Sequence, residues 1–249
     1  MKLLTLAPIL FALAAPAFAT TLTASGSNSL WNVDDPSCTS ASTDNCVIGN
    51  PAVFGIESAS LSVDNSGDVS ATILTNFGDT NQNIYGVNFQ AADMLITAGG
   101  NTYALVLDTH GSMTAGSLYL VTGTRDAQTA LTNNNGGVNP GGTYRNNLPV
   151  FGSSGGKTLI GSGTVDLTDY GNGSTSPLYQ ISVSGITGAT SLFDDGSFTF
   201  ELASADCGNG VVYGSTPQFS GVPEPGTLAL MGTALVGLAF LRRRHKGRG

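Results

Sequence analysis

Ile56-Glu57-Ser58-Ala59-Ser60-Leu61-Ser62-Val63 alternates along its length and sets Ala59, Leu61 and Val63 on one face. A period of two is the mark of a half-buried strand. Asp64-Asn65-Ser66-Gly67-Asp68 follows with turn residues, and Val69 to Thr75 runs back in the same style. The pair reads as a β-hairpin.

Outward from this hairpin the pattern repeats. Residues 84–89 place Tyr85, Val87 and Phe89 on one face, and 94–97 form another short apolar run. Gly99-Gly100-Asn101 is a turn. Residues 102–107 are almost continuously apolar, which predicts a central strand covered on both faces. Further strands are expected over 118–121, 163–167, 179–183, 198–202 and 211–213. No segment between the two chain ends holds a long 3.6-residue period, and 127–131 offers a single helical turn at most. Residues 132–157 interrupt the series with Asn133-Asn134-Asn135-Gly136-Gly137, Pro140-Gly141-Gly142 and Ser153-Ser154-Gly155-Gly156. This stretch is either a long loop or a linker between half-domains, and a mobile loop within one domain is expected; loops of such length are uncommon in compact folds and often functional or disordered. Many short strands, abundant turn residues and 34 glycines predict an all-β body, an antiparallel β-sandwich of jelly-roll-like class.

The two ends differ from the body. Residues 1–19 have the layout of a secretory signal peptide: Lys2, an apolar core from Leu3 to Ala15, and the small-x-small cleavage site at Ala17 and Ala19. The exported body then covers 20–221, long enough for one domain with a good core. At the other end, Val222-Pro223-Glu224-Pro225-Gly226 precedes an uncharged run, 226–241, and then Arg242-Arg243-Arg244-His245-Lys246. As a helix the run would be about 24 Å long, slightly short of a hydrocarbon core roughly 30 Å thick. It is therefore expected to be a single, marginal transmembrane helix, completed by snorkelling arginines. Pro223 and Pro225 keep the approach extended. The arginines stop translocation and leave the C-terminus inside.

Charge separates the segments further. Six of the nine basic residues belong to the two ends, leaving Arg125, Arg145 and Lys157 in the body. Against 16 acids these give the body a formal charge of −13. Such a surface excludes nucleic acid as a partner. No cofactor is expected: the acids at Asp34-Asp35, Asp64/Asp68 and Asp194-Asp195-Gly196 could ligate calcium, but none completes a calcium loop and they read as turns. Cys38 and Cys46 flank a polar loop in an oxidising compartment, and a disulfide between them is expected, with Cys207 left over.

The motif, apolar run and basic end at 222–249 together resemble the PEP-CTERM sorting signal of Gram-negative bacteria. The resemblance covers only the end of the chain. It implies recognition of Pro223, Glu224 and Pro225 by exosortase, an integral-membrane cysteine transpeptidase, and removal of the tail. It also implies a transient hold at the inner membrane, then a cell-surface or extracellular destination associated with exopolysaccharide and biofilm.

No catalytic residue is expected. His110 is the only histidine of the body and stands in Asp108-Thr109-His110-Gly111-Ser112. Adjacency in sequence does not build a Ser/His/Asp triad, no Gly-x-Ser-x-Gly elbow occurs, and the residue reads as a loop histidine. Gly161-Ser162-Gly163 lacks the lysine and helix of a phosphate loop. The expected function is that of a non-enzymatic surface or matrix protein. The alternative is a secreted glycan-binding module or glycan hydrolase on the same β-scaffold.

Overall fold

The computed structural model describes residues 22–26, 47–64, 66–78, 82–84, 86–134, 144–145, 147–170, 178–193 and 197–216. The expected signal peptide at 1–19, the expected Cys38–Cys46 disulfide, Asp34-Asp35, Asp194-Asp195 and the whole of the C-terminal tail lie outside them. Among the described residues no helix is long and apolar enough to cross a membrane.

The strands are β1 (Leu22–Gly26), β2 (Ile56–Val63), β3 (Val69–Thr75), β4 (Gln82–Ile84), β5 (Val87–Phe89), β6 (Met94–Ala98), β7 (Asn101–Leu105) and β8 (Ser117–Val121). They continue with β9 (Thr124–Asp126), β10 (Pro149–Gly152), β11 (Lys157–Ser162), β12 (Thr164–Asp169), β13 (Tyr179–Ile186), β14 (Thr199–Ala203) and β15 (Val211–Ser215). Two short helices, α1 (Pro51–Phe54) and α2 (Ala127–Asn134), are each opened by a side chain that caps a free backbone amide. Asn50 Oδ1 accepts from the Ala52 amide at 3.0 Å, and Asp126 Oδ1 accepts from the Thr129 amide at 2.7 Å.

Eleven strands join in one sheet, in the order β11-β8-β7-β6-β14-β15-β1-β2-β3-β13-β12. Every pairing is antiparallel, as the alternating sequence requires. The β2–β3 hairpin has the bounds read from the sequence, with Val63 opposite Val69. One register pair alone, Ser25 with Ser215, joins β1 to β15. At the other extreme the two edge strands, β11 and β12, are consecutive in the chain and separated by Gly163. The sheet is thereby nearly closed on itself. Ala24, Leu61 and Ile73 from one side of the β1–β15 junction share a core with Ile96, Leu105 and Phe200 from the other.

The corner at Gly163 depends on the absence of a side chain. A Cβ there would lie 2.0 Å from the Ser184 carbonyl oxygen, and the Gly163 amide donates to Gly116 O at 2.7 Å. Gly163→Ala is expected to destabilise the body by about 1–3 kcal/mol through this collision with backbone. Gly155→Ala, whose Cβ would meet only Ser153 Oγ at 3.9 Å, is the control. Urea midpoints of the two variants check it: equal midpoints would mean that the corner relaxes freely.

Two expectations change and a third holds. Residues 84–89 are not one strand but the hairpin β4–β5, because Gly86 takes φ +78° and turns the chain back. Residues 132–157 are not all loop: they include the end of α2 and all of β10, whose Val150 and Phe151 are buried. The glycines and asparagines around β10 masked its three apolar residues. Residues 102–107 do lie under cover on both faces. Inward they join the main core, and outward Leu95, Ala104, Val106, Met113, Tyr119 and Val121 form a second cluster. The β9–β10 ribbon and α2 form an outer layer with its own apolar cluster, which includes Ala127, Ala130, Val150 and Phe151.

Candidate functional site

Beside the β9–β10 ribbon a partly open groove of about 570 Å³ lies along the outward side chains of β7, β6, β14, β15 and β1. The period of two puts alternate residues of each strand outward, and the register then lines them up across strands. Ser25 faces Ser215, Ser215 faces Thr199, Thr199 faces Thr97, and Thr97 faces Thr102. The result is a row of hydroxyl side chains across five adjacent strands. In the neighbouring row Tyr213 faces Glu201, and Glu201 faces Leu95. The covering ribbon adds Thr124 and Pro149.

Glu201 is the charged member of this lining. Its Oε1 is buried and without a hydrogen-bond partner among the described residues. Burial raises its pKa from 4.5 to about 7, against a smaller opposite pull from the charge of Arg145. The folded state thus holds the proton more tightly than the unfolded chain. Stability from this group is full at pH values below the unfolded 4.5 and is lost as pH rises towards about 7. Glu201→Gln is therefore expected to raise the melting temperature relative to the parent at about pH 8 and to leave it nearly unchanged at about pH 4.5. Melts at both pH values check the sign, and a gain confined to the acidic side would refute it.

A second cluster is buried beneath the ribbon. Asp93, just before β6, receives His110 Nε2 at 2.9 and 3.0 Å on its two carboxylate oxygens. The Gly152 amide of β10 donates to Asp93 Oδ2 at 2.8 Å. Arg125 of β9 places Nη2 2.9 Å from His110 Nδ1. Arginine can only donate, so the hydrogen-bond network assigns Nδ1 as acceptor and puts the ring proton on Nε2, facing Asp93. Phe151 packs on both, 4.3 Å from the His110 ring and 5.0 Å from the Arg125 guanidinium. Burial pushes the Asp93 carboxyl up, while His110, the Gly152 amide and Arg125 pull it down. The cluster ties β6, β9, β10 and the loop before β8 together. With both ring nitrogens engaged, His110 has none left to activate a nucleophile.

Sequence reasoning had placed His110 in a loop and missed this network. The signal was compositional: a body with three basic residues has few charges to spare. All three are in use. Arg125 meets His110. Lys157 donates to Ser112 O and to Ser112 Oγ, at 2.7 Å for the latter, and lies over Tyr119. Arg145 is buried, with its backbone amide on Cys207 O at 3.1 Å.

Cys207 is a buried free thiol whose pKa burial pushes up, so it is unreactive in this fold. Asp64 Oδ1 accepts from the Ser66 and Asp68 amides at 2.8 and 2.9 Å, which makes it the brace of its own turn. Among the described residues no group of three or more His, Cys, Asp or Glu is placed to hold a metal ion. Gly161 and Gly163 serve the corner of the sheet rather than a phosphate. Pro223, Glu224, Pro225, Arg242, Arg243, Arg244, Ala17, Ala19, Cys38 and Cys46 fall outside the described residues.

The fold and the tail together define an antiparallel β-body that carries a C-terminal sorting sequence. Residues 221–244 match the PEP-CTERM protein-sorting motif. That motif indicates an exported protein sorted by way of the membrane and implies processing by exosortase. No curated protein and no solved structure matches the chain.

Proposed function

We propose that the chain is a non-enzymatic, exported cell-surface or matrix protein with a jelly-roll-like body, held briefly at the inner membrane and released by exosortase into association with exopolysaccharide. The observation that carries this reading is the sorting motif at residues 221–244. Two features of the body support the non-enzymatic part. His110 has both nitrogens occupied by Asp93 and Arg125, and among the described residues the groove contains one carboxyl where two-carboxylate glycoside hydrolysis needs a pair. In this reading the Cys38–Cys46 bridge closes the loop ahead of α1. No cofactor is required, and calcium does no more than stabilise the acid-rich loops weakly.

Fractionation of an exosortase-positive host, of its exosortase deletion and of an exopolysaccharide-deficient strain tests the proposal. The protein is expected in the matrix fraction of the first, in the inner membrane of the second and in the medium of the third. Recovery in the inner membrane of all three would overturn it.

A further inference from the structure

We propose that the groove over β7, β6, β14, β15 and β1 is a binding cleft for an uncharged oligosaccharide. Five hydroxyl-bearing side chains stand in register on neighbouring strands. Strand spacing sets them about 4.8 Å apart, close to the length of one pyranose ring, so successive sugars can meet successive hydroxyls. Tyr213, half-buried in the adjoining row and part of the groove lining, offers an aromatic surface to the apolar side of a sugar. Glu201 also lines the groove and adds a carboxyl that can accept from a sugar hydroxyl. The groove's volume of about 570 Å³ is within the range of small-molecule sites, roughly 300–1,000 Å³.

Charge narrows the ligand class. Among the described residues no lysine or arginine is in the lining and Glu201 is the one acid there, and the body's formal charge is −13. Anionic sugars would be repelled with nothing to pair them. Among the described residues the lining offers one carboxyl, so the proposed cleft binds sugar without the carboxyl pair that bond cleavage uses. This inference deepens the matrix reading, on which it rests for glycan as the material met after export.

Isothermal titration of the full-length chain in detergent, with cellohexaose, maltohexaose and hexagalacturonate, tests it without exosortase. At least one neutral hexasaccharide is expected to bind, and the acidic one at least tenfold more weakly. Tyr213→Ala is expected to weaken neutral binding about tenfold through the lost ring. The double variant Thr97→Val/Thr199→Val, which keeps size and removes two hydroxyls, is expected to weaken it about fivefold or more. Reducing ends should not accumulate. Absence of neutral binding at millimolar sugar, tighter binding of the acidic probe, unchanged affinity in both variants, or release of reducing ends would each overturn the cleft. A chain that binds sugar yet is never processed would leave the cleft standing and remove the sorting proposal; a processed chain that binds none would do the reverse.

Discussion

Asp93→Ala is expected to be the most damaging single substitution in the body, costing about 3–5 kcal/mol, the range for removing one partner of a buried charge pair. For a domain of this size each kcal/mol lowers the melting temperature by roughly 2–4 °C, so the fall should exceed about 6 °C. The reason is geometric. Asp93 accepts from His110 and from the Gly152 amide, and His110 in turn holds Arg125. Without the carboxylate, Gly152 loses an acceptor and Arg125 keeps a charge with no counter-ion beneath the ribbon. Arg125→Ala should also destabilise. The double variant should cost less than the sum of the singles by about 1 kcal/mol or more, because it removes both charges at once. Urea melts of the four proteins supply the cycle. Strict additivity would mean that Asp93 and Arg125 do not act through His110 as one unit.

The second large effect concerns the tail. Replacing Pro223-Glu224-Pro225 by three alanines is expected to leave export intact and to abolish processing, so that uncut protein accumulates in the inner membrane. Proline fixes its own φ and biases the residue before it away from helix, so the motif is expected to present an extended backbone to an enzyme at the membrane surface. Three alanines favour helix and extend the apolar segment instead. Deleting residues 227–249 should act differently and release an uncut body into the periplasm, since no span remains to hold it. Immunoblots of membrane and soluble fractions separate these outcomes. Normal processing of the triple-alanine variant would show that Pro223, Glu224 and Pro225 are not what the enzyme reads.

Legibility in the sequence followed the range of each interaction. The β2–β3 hairpin is local and alternating, and its bounds agree with the structure. The apolar run at 102–107 is explained by cover on both faces of β7, once the outer layer is known. That outer layer was not legible, because β9 and β10 are three and four residues long and lie among turn-forming glycines. Gly86 was read as part of a strand, where its positive φ makes it a turn. The Asp93–His110–Arg125 network was invisible for another reason: its members come together only when the β9–β10 ribbon folds over β6. The hydroxyl row exists only through register across five strands, which no single strand encodes. The sorting motif at residues 221–244 was readable because its signature, apolar run and basic end are contiguous.

The account stands most directly on the mature mass of the wild-type protein. Intact-mass analysis of the chain from exosortase-positive and exosortase-deficient hosts measures where it ends. The expected result is a product from the first host that ends near Pro223-Glu224-Pro225 and lacks Arg248, and a product from the second that retains Arg248. Retention of Arg248 in both would contradict exosortase processing and make residues 226–241 an ordinary C-terminal anchor.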